Sequence, residues 1–416
     1  MSGASAQGLF GLAVFIALAW LVSENRGAFS WRRVVAGLAV QFAIALVFLQ
    51  VSWAGEAMFA LNRVVDGLML ATQAGTSFVF GYVGGGPAPF DVTDATASFS
   101  LAFQSLPIVL VVSALAALLW YWRVLPAIIS AVSVVLRRTM RIGGSLGLAS
   151  AANVFMGMVE APILIRPKLA QFSRSELFAL MSVGMATVAG TVLVLYASVI
   201  GTRIDGALGH IITASLISLP AALTISHIMV PETAPRQEAD TGAPPTLYRS
   251  SMDAIVQGTA NGLQLILSIA AMLIVAVALV AIVNIMLGAL PDMAGAPITL
   301  ERALGWVFAP IVWCMGVPWA EAGTAGALMG IKTVLNEFLA YLALADLGPA
   351  LSDRTALIMV YALCGFANPG SIGIMIGGLT AMVPERRDEI ISLSGRALVA
   401  GTLATCMTGA VVGLVT

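Results

Sequence analysis

Apolar runs of about 18 or more residues recur along this chain, and each has the length needed to cross the roughly 30 Å hydrocarbon core of a bilayer. Read for length and charge, they fall at residues 8–23, 34–52, 101–122, 175–200, 208–230, 255–288, 355–383 and 396–416. No water-soluble fold buries eight such runs. Composition agrees, since 59% of the 416 residues are apolar and 10% are charged, against about 25% charged in an ordinary soluble domain. The expected class is an all-α membrane protein with eight transmembrane helices and both termini on one side. The first run has no basic stretch before it and no small-residue cleavage site after it, so it reads as a retained span.

The stretches between the runs are too broken or too amphipathic to cross. Residues 54–81 mix Glu56, Arg63 and Asp66 with apolar residues at helical spacing, and 124–142 carry Arg137, Arg138 and Arg141 at one end. Both suit interfacial helices. Residues 145–172 and 308–345 place Gly, Pro, Asn, Glu and Lys among apolar neighbours, the pattern of re-entrant helical hairpins. Irregular backbone at membrane depth survives only where protein or a water-filled cavity surrounds it, so the two hairpins point to a site.

Each hairpin is followed by a span with a break in it: Ala186-Thr-Val-Ala-Gly190 after the first, Ala367-Asn-Pro-Gly-Ser371 after the second. Hairpin, broken helix and helix therefore occur twice, at 145–230 and 308–416, as an inverted repeat of the kind secondary transporters use. The rest divides into N-terminal scaffold helices with an interfacial helix (1–98), a scaffold helix with a second interfacial helix (99–144), and a linker with a further scaffold helix (231–307). The polar linker at 231–248 carries Glu232, Arg236, Glu238 and Asp240.

Charge placement orients this plan. With both termini outside, fifteen of the twenty basic residues fall on the cytoplasmic side, four (Arg63, Arg203, Arg302 and Arg354) fall outside, and Lys332 stays in the second hairpin. The positive-inside rule selects that orientation. A net charge of −1 gives no reason to expect a nucleic-acid partner.

Charges inside hydrocarbon cost about 3 kcal/mol on insertion scales, so those present need a reason. Glu160 sits at the tip of the first hairpin, between Gly157 and Pro162, and the bland alternative is an ion pair with Arg166 or Lys168. Glu337 sits in the second, where Lys332 five residues earlier offers a salt bridge instead. Asn368 and Ser371 lie on the interrupted stretch nearby. A carboxylate with amide and hydroxyl groups suits a polyhydroxyl solute such as a sugar ring, although Asn368 alone would also serve to satisfy backbone freed at the break.

Asn153 and Thr187 supply hard oxygens beside broken backbone, fit for a small cation; Thr187 equally well bonds back to its own helix. Cys314, Cys364 and Cys406 lack the spacing of a metal or disulfide pair and read as packing residues. His210 and His227 read as interfacial or cavity residues, and the run Gly84-Gly-Gly-Pro87 as a turn. There is no nucleophile with a base and no HExxH, so an enzyme is not expected; a channel is the other competing class.

At these residues the chain resembles the concentrative nucleoside transporter family, whose members are nucleoside:cation symporters. The likeness runs from about Phe99 to the C-terminus, through Phe103-Gln-Ser-Leu-Pro-Ile-Val-Leu-Val-Val-Ser-Ala-Leu, Ala161-Pro-Ile-Leu-Ile-Arg-Pro, Ala186-Thr-Val-Ala-Gly, Met315-Gly-Val-Pro-Trp, Lys332-Thr-Val-Leu-Asn-Glu-Phe and Cys364-Gly-Phe-Ala-Asn. It implies a homotrimer in the bacterial inner membrane, with both termini periplasmic and a transport domain of hairpins and broken helices that moves against a scaffold like an elevator. It implies that Glu160, with Gly157, Met158 and Val159, meets the nucleobase and that Val192 lines the pocket. Glu337, Asn368 and Ser371 hold the ribose beside Phe366. Asn153 and Thr187, with the carbonyls of Met156 and Val188, bind a coupling sodium ion; some members use protons, which Glu160 is equipped to carry. No other cofactor is expected. One departure stands out: the family usually has Gly-Gln-Thr-Glu or Gly-Gln-Ser-Glu where this chain has Gly157-Met-Val-Glu160. Two polar contacts to the base are absent, and an unpaired polar edge costs about 1–3 kcal/mol, so base selectivity is expected to differ, in favour of purines.

Overall fold

The computed structural model describes residues 3–93, 98–201, 203–233, 245–293, 295 and 297–416. Residues 234–244 of the expected linker, with Arg236, Glu238 and Asp240, lie outside the described residues. Helices account for most of the rest, as the apolar runs require when no water is available to the backbone.

Helices α1 (Gly3–Leu21) and α2 (Trp31–Gln50) are joined by a loop whose Asn25 side chain accepts from the Gly27 amide. Glu24 in that loop receives Arg174 at 2.8 Å and Arg396 at 2.6 Å. The hydrogen bond from Arg174 holds the Glu24 carboxyl below the usual carboxylate range. Helix α3 (Ser52–Phe80), the expected interfacial segment, is continuous for 29 residues. A π-turn (Leu101–Ser105) leads into α4 (Ile108–Tyr121), and α5 (Val124–Met140) follows at once.

The first hairpin is α6 (Gly144–Met156), α7 (Glu160–Ile163) and α8 (Arg166–Leu169). A capping box between Ser173 and Glu176 then starts α9 (Arg174–Ala186), which breaks at 187–189 before α10 (Gly190–Ile200). After α11 (Ala207–Met229) and the 37-residue α12 (Ser251–Leu287) come α13 (Leu300–Cys314), α14 (Trp319–Val334) and α15 (Glu337–Asp346). The chain closes with α16 (Asp353–Leu363), a break at 364–368, α17 (Pro369–Met382) and α18 (Arg387–Val415).

One expectation needs correcting. The second hairpin does not start at 308, because that position lies inside α13, which bends by 115° into α14. Gly316, at φ +102°, and Pro318 turn the chain there, since proline keeps the residue before it out of the helical region. The arms of the second hairpin are therefore α14 and α15. Among the described residues six single helices are long and apolar enough to cross on that ground alone, or seven spans if the bent α13–α14 pair is one. The run at 355–383 is two shorter helices, α16 and α17.

Burial separates a centre from a periphery. The most apolar stretches of α9–α10 and α11 are 89% and 83% buried within the protein, whereas that of α12 is 11% buried. Helix α12 thus presents Leu267, Ile274 and Ile285 outward, as a lipid-facing helix does. At the centre the two breaks touch. The Phe366 amide donates to the Thr187 carbonyl at 3.3 Å, and a Cβ added to Gly365 would lie 2.9 Å from the Ala186 carbonyl oxygen. Only glycine permits so close a crossing of two backbones.

Candidate functional site

Each hairpin tip delivers a carboxylate because the helix before it ends abruptly. Helix α6 stops at Met156, and Gly157 takes φ +101°, a conformation open to glycine. Glu160 then opens α7, its carboxylate so close that a Cβ on Gly157 would lie 2.8 Å from Oε2. In the second hairpin α14 ends at Val334, and the Asn336 side chain caps α15 by accepting from the Leu339 amide at 2.9 Å. Glu337 is thus the first residue of α15 and is buried.

Both oxygens of Glu337 are held. Tyr196 of α10 donates its hydroxyl to Oε1 at 2.6 Å, and Asn368 donates its amide to Oε2 at 3.1 Å. Asn368 also caps α17, its Oδ1 accepting from the Ser371 amide at 2.9 Å. Asn368 thus satisfies the backbone at the break and also reaches the carboxylate. Lys332 does not pair with Glu337. Its ammonium donates to the Ala362 carbonyl at 2.8 Å and to Thr405 Oγ1 at 2.6 Å.

Glu160, Glu337, Gly157, Met158, Val159, Val192, Phe366, Asn368 and Ser371 all line one cavity of about 200 Å³. Leu265, Ile269 and Met272 of α12 form its far wall. Met158 and Val159 are anchored outside the polar cluster by their packing: glycines at 184 on α9 and 378 on α17 make room for them, a Cβ on either meeting Met158 or Val159 at 2.9 Å. Among the described residues Glu160 makes no ion pair, with Arg166 and Lys168 included. It also borders a second cavity of about 120 Å³, with Trp120 and Tyr248, so it stands between the solute-sized space and the linker side of the protein.

Sequence reasoning missed Tyr196. It lies one turn beyond Val192 on the same face of α10, stacks on Phe338 with ring centroids 5.7 Å apart, and contributes the only aromatic hydroxyl of that helix. That hydroxyl in an apolar run was the available signal.

Asn153 and Thr187 are brought together behind the first tip. The Asn153 amide donates to Thr187 Oγ1 at 2.5 Å and to the Val183 carbonyl at 3.3 Å. Thr187 also bonds back to its own helix, donating to Val183 at 3.0 Å. Met156 and Val188 flank them, so the C-terminal ends of α6 and α9 converge with their partial negative charges. Neutral hard oxygens at two helix C-termini fit a small monovalent cation.

Comparison with known proteins gives the same picture along the whole chain. Residues 210–413 match the family described as Na+ dependent nucleoside transporter C-terminus, 10–83 the corresponding N-terminus, and 102–203 a nucleoside-recognition Gate family. The nucleoside permease NupC of Helicobacter pylori is 33% identical over 97% of this chain and 96% of its own length. An uncharacterized transporter, YutK, of Bacillus subtilis is 37% identical over 98% of both. The solved structure of CNTnw in an inward-facing substrate-bound state superposes with a TM-score of 0.89 at 34% identity, covering 99% of this chain and 98% of that one.

Proposed function

Because this chain belongs to the Na+-dependent nucleoside transporter family, we propose that it imports nucleosides into the bacterial cell by symport with sodium. It is a multi-pass integral membrane protein and a transporter, not an enzyme. The observation that carries the solute reading is the buried Glu337 carboxylate, gripped by Tyr196 and Asn368 across one cavity from Glu160. A ribose presents vicinal hydroxyls, which a carboxylate, an amide and the Ser371 hydroxyl recognise; the base lies toward Glu160, against Met158, Val159 and Val192. The ion belongs at Asn153 and Thr187 with the Met156 and Val188 carbonyls, one short step from Phe366 along the crossed breaks.

In this reading residues 145–230 and 319–416 form the moving body, and 1–98, 99–144 and 231–318 the scaffold. The wall supplied by α12 supports it, because a solute held between hairpin tips and a scaffold helix is released when the two slide apart. Assembly as a homotrimer in the inner membrane, with both termini periplasmic, completes the proposal.

The test is uptake into proteoliposomes under an imposed sodium or proton gradient. A sodium gradient drives labelled uridine to accumulate against its own gradient, and Asn153→Ala abolishes the sodium dependence; accumulation driven by protons without sodium contradicts the ion assignment. Adenosine and inosine compete with uridine better than cytidine does, whereas a strict pyrimidine profile removes the selectivity reading.

Tyr196→Phe isolates the grip on Glu337. A hydrogen bond to a charged group contributes about 1.5–3 kcal/mol, so the variant weakens nucleoside binding by at least roughly tenfold. Sodium-dependent stabilisation without nucleoside stays unchanged. Equilibrium nucleoside binding measures the first and melting temperature in sodium chloride the second; an unaltered nucleoside affinity removes Tyr196 from the site.

A further inference from the structure

The inverted repeat makes a demand that Lys332 answers. In the first repeat the end of α6 meets the end of α9, and the last-turn residue Asn153 reaches across 30 positions of sequence to the Val183 carbonyl. In the second repeat the end of α14 meets the end of α16, and the last-turn residue Lys332 reaches across 30 positions to the Ala362 carbonyl. The two side chains occupy equivalent places at two equivalent pairs of helix C-termini. Each pair of ends carries partial negative charge, equivalent to about half an electron per helix. Around Asn153 the side-chain groups are neutral oxygen and nitrogen; around Ala362 a buried ammonium is already present.

That ammonium is bound the way an ion is bound. Its partners are a main-chain carbonyl and a hydroxyl, Ala362 and Thr405 Oγ1, at 2.8 and 2.6 Å. Thr405 passes its own proton on to the Thr402 carbonyl at 3.0 Å, leaving its oxygen free to accept. The nearest carboxylate along the chain, Glu337, is engaged by Tyr196 and Asn368 instead. Among the described residues this fully buried lysine makes no ion pair; such a charge is costly in a membrane protein, and the compensation at its ammonium comes from helix-end dipoles and neutral oxygens.

Resting on the assignment of the coupling sodium to Asn153 and Thr187, we infer that Lys332 is a tethered cation holding, in the second repeat, the position that sodium takes in the first. The chain thereby has one exchangeable ion site and one permanently filled one. Transport moves a single sodium ion per nucleoside, and the second repeat keeps its charge at every stage of the cycle.

The experiment empties the second position. Lys332→Asn removes the ammonium and leaves a short oxygen-bearing side chain; Lys332→Met fills the same space with an apolar one. In purified protein, the sodium dependence of the melting temperature, with choline as the control cation, is expected to rise from a Hill coefficient of one to two in Lys332→Asn and to stay at one in Lys332→Met. Labelled sodium per labelled nucleoside in proteoliposomes moves in step, from one to two. If Lys332→Asn and Lys332→Met give the same sodium response, the inference is overturned. Counting sodium bound per protomer in the unaltered protein needs no variant, and a count of two overturns it as well. Asn153→Ala in the same assay separates the premise from the inference. Loss of the response in that variant upholds the first site whatever Lys332 does, and its retention removes the first site and with it the inference.

Discussion

Replacing Glu337 with alanine is expected to reduce nucleoside uptake at least about a hundredfold while the protein still inserts and folds. On the proposed assignment the variant loses the ribose contact, and it strands the Tyr196 hydroxyl and the Asn368 amide, which now donate to the two Glu337 oxygens. Each buried donor left unsatisfied costs about 1–3 kcal/mol, and every 1.4 kcal/mol or so is a tenfold change in affinity. Glu337→Gln keeps the shape but turns one oxygen into a donor, which must face either the Tyr196 hydroxyl or the Asn368 amide. It therefore recovers stability more than affinity. Initial uptake rates and nucleoside-induced melting shifts measured together test this, and uptake by Glu337→Ala within tenfold of the parent protein would remove Glu337 from the solute site.

The second large effect is expected at Gly190, where α10 begins against the end of α6. A Cβ there would lie 2.5 Å from the Phe155 carbonyl oxygen and 3.0 Å from its Cα, all backbone atoms that have nowhere to rotate. Gly190→Val must push the first hairpin away from the break. Overpacking against yielding side chains costs about 1–3 kcal/mol, and against main chain the displacement is forced. Sodium-dependent stabilisation and nucleoside binding are both expected to disappear, with a lower melting temperature. Gly377→Ala on α17, where an added Cβ meets nothing within 4 Å, is the control; it is expected to stay within about 0.5 kcal/mol of the parent. A Gly190→Val protein with normal sodium response would separate the hairpin from the ion site.

The breaks and the hairpin tips were legible because glycine, proline, asparagine and glutamate are costly among apolar residues and so mark positions that need them. The start of the second hairpin was not legible. Residues 303–320 carry no charge to mark a boundary, and the turn there rests on Gly316 and Pro318. Tyr196 escaped notice because an aromatic in an apolar run reads as core, and its partner lies 141 residues away. The wall contributed by α12 is mostly leucine, isoleucine and methionine, with Ser268 among them, and carries no pattern that separates lining from packing. Lys332 was read against Glu337 because the two are five apart. That spacing does not put two residues on one helix face, and α14 ends between them; its partners stand 30 and 73 positions along the chain.

On the proposed assignment, the hydrogen bond between the Phe366 amide and the Thr187 carbonyl joins the ion site to the solute site through two peptide groups. Whatever factor the ion adds to nucleoside affinity, the nucleoside must return to the ion, since linkage is reciprocal. Under that assignment so short a lever disfavours half-loaded forms, and the gradient is conserved by geometry.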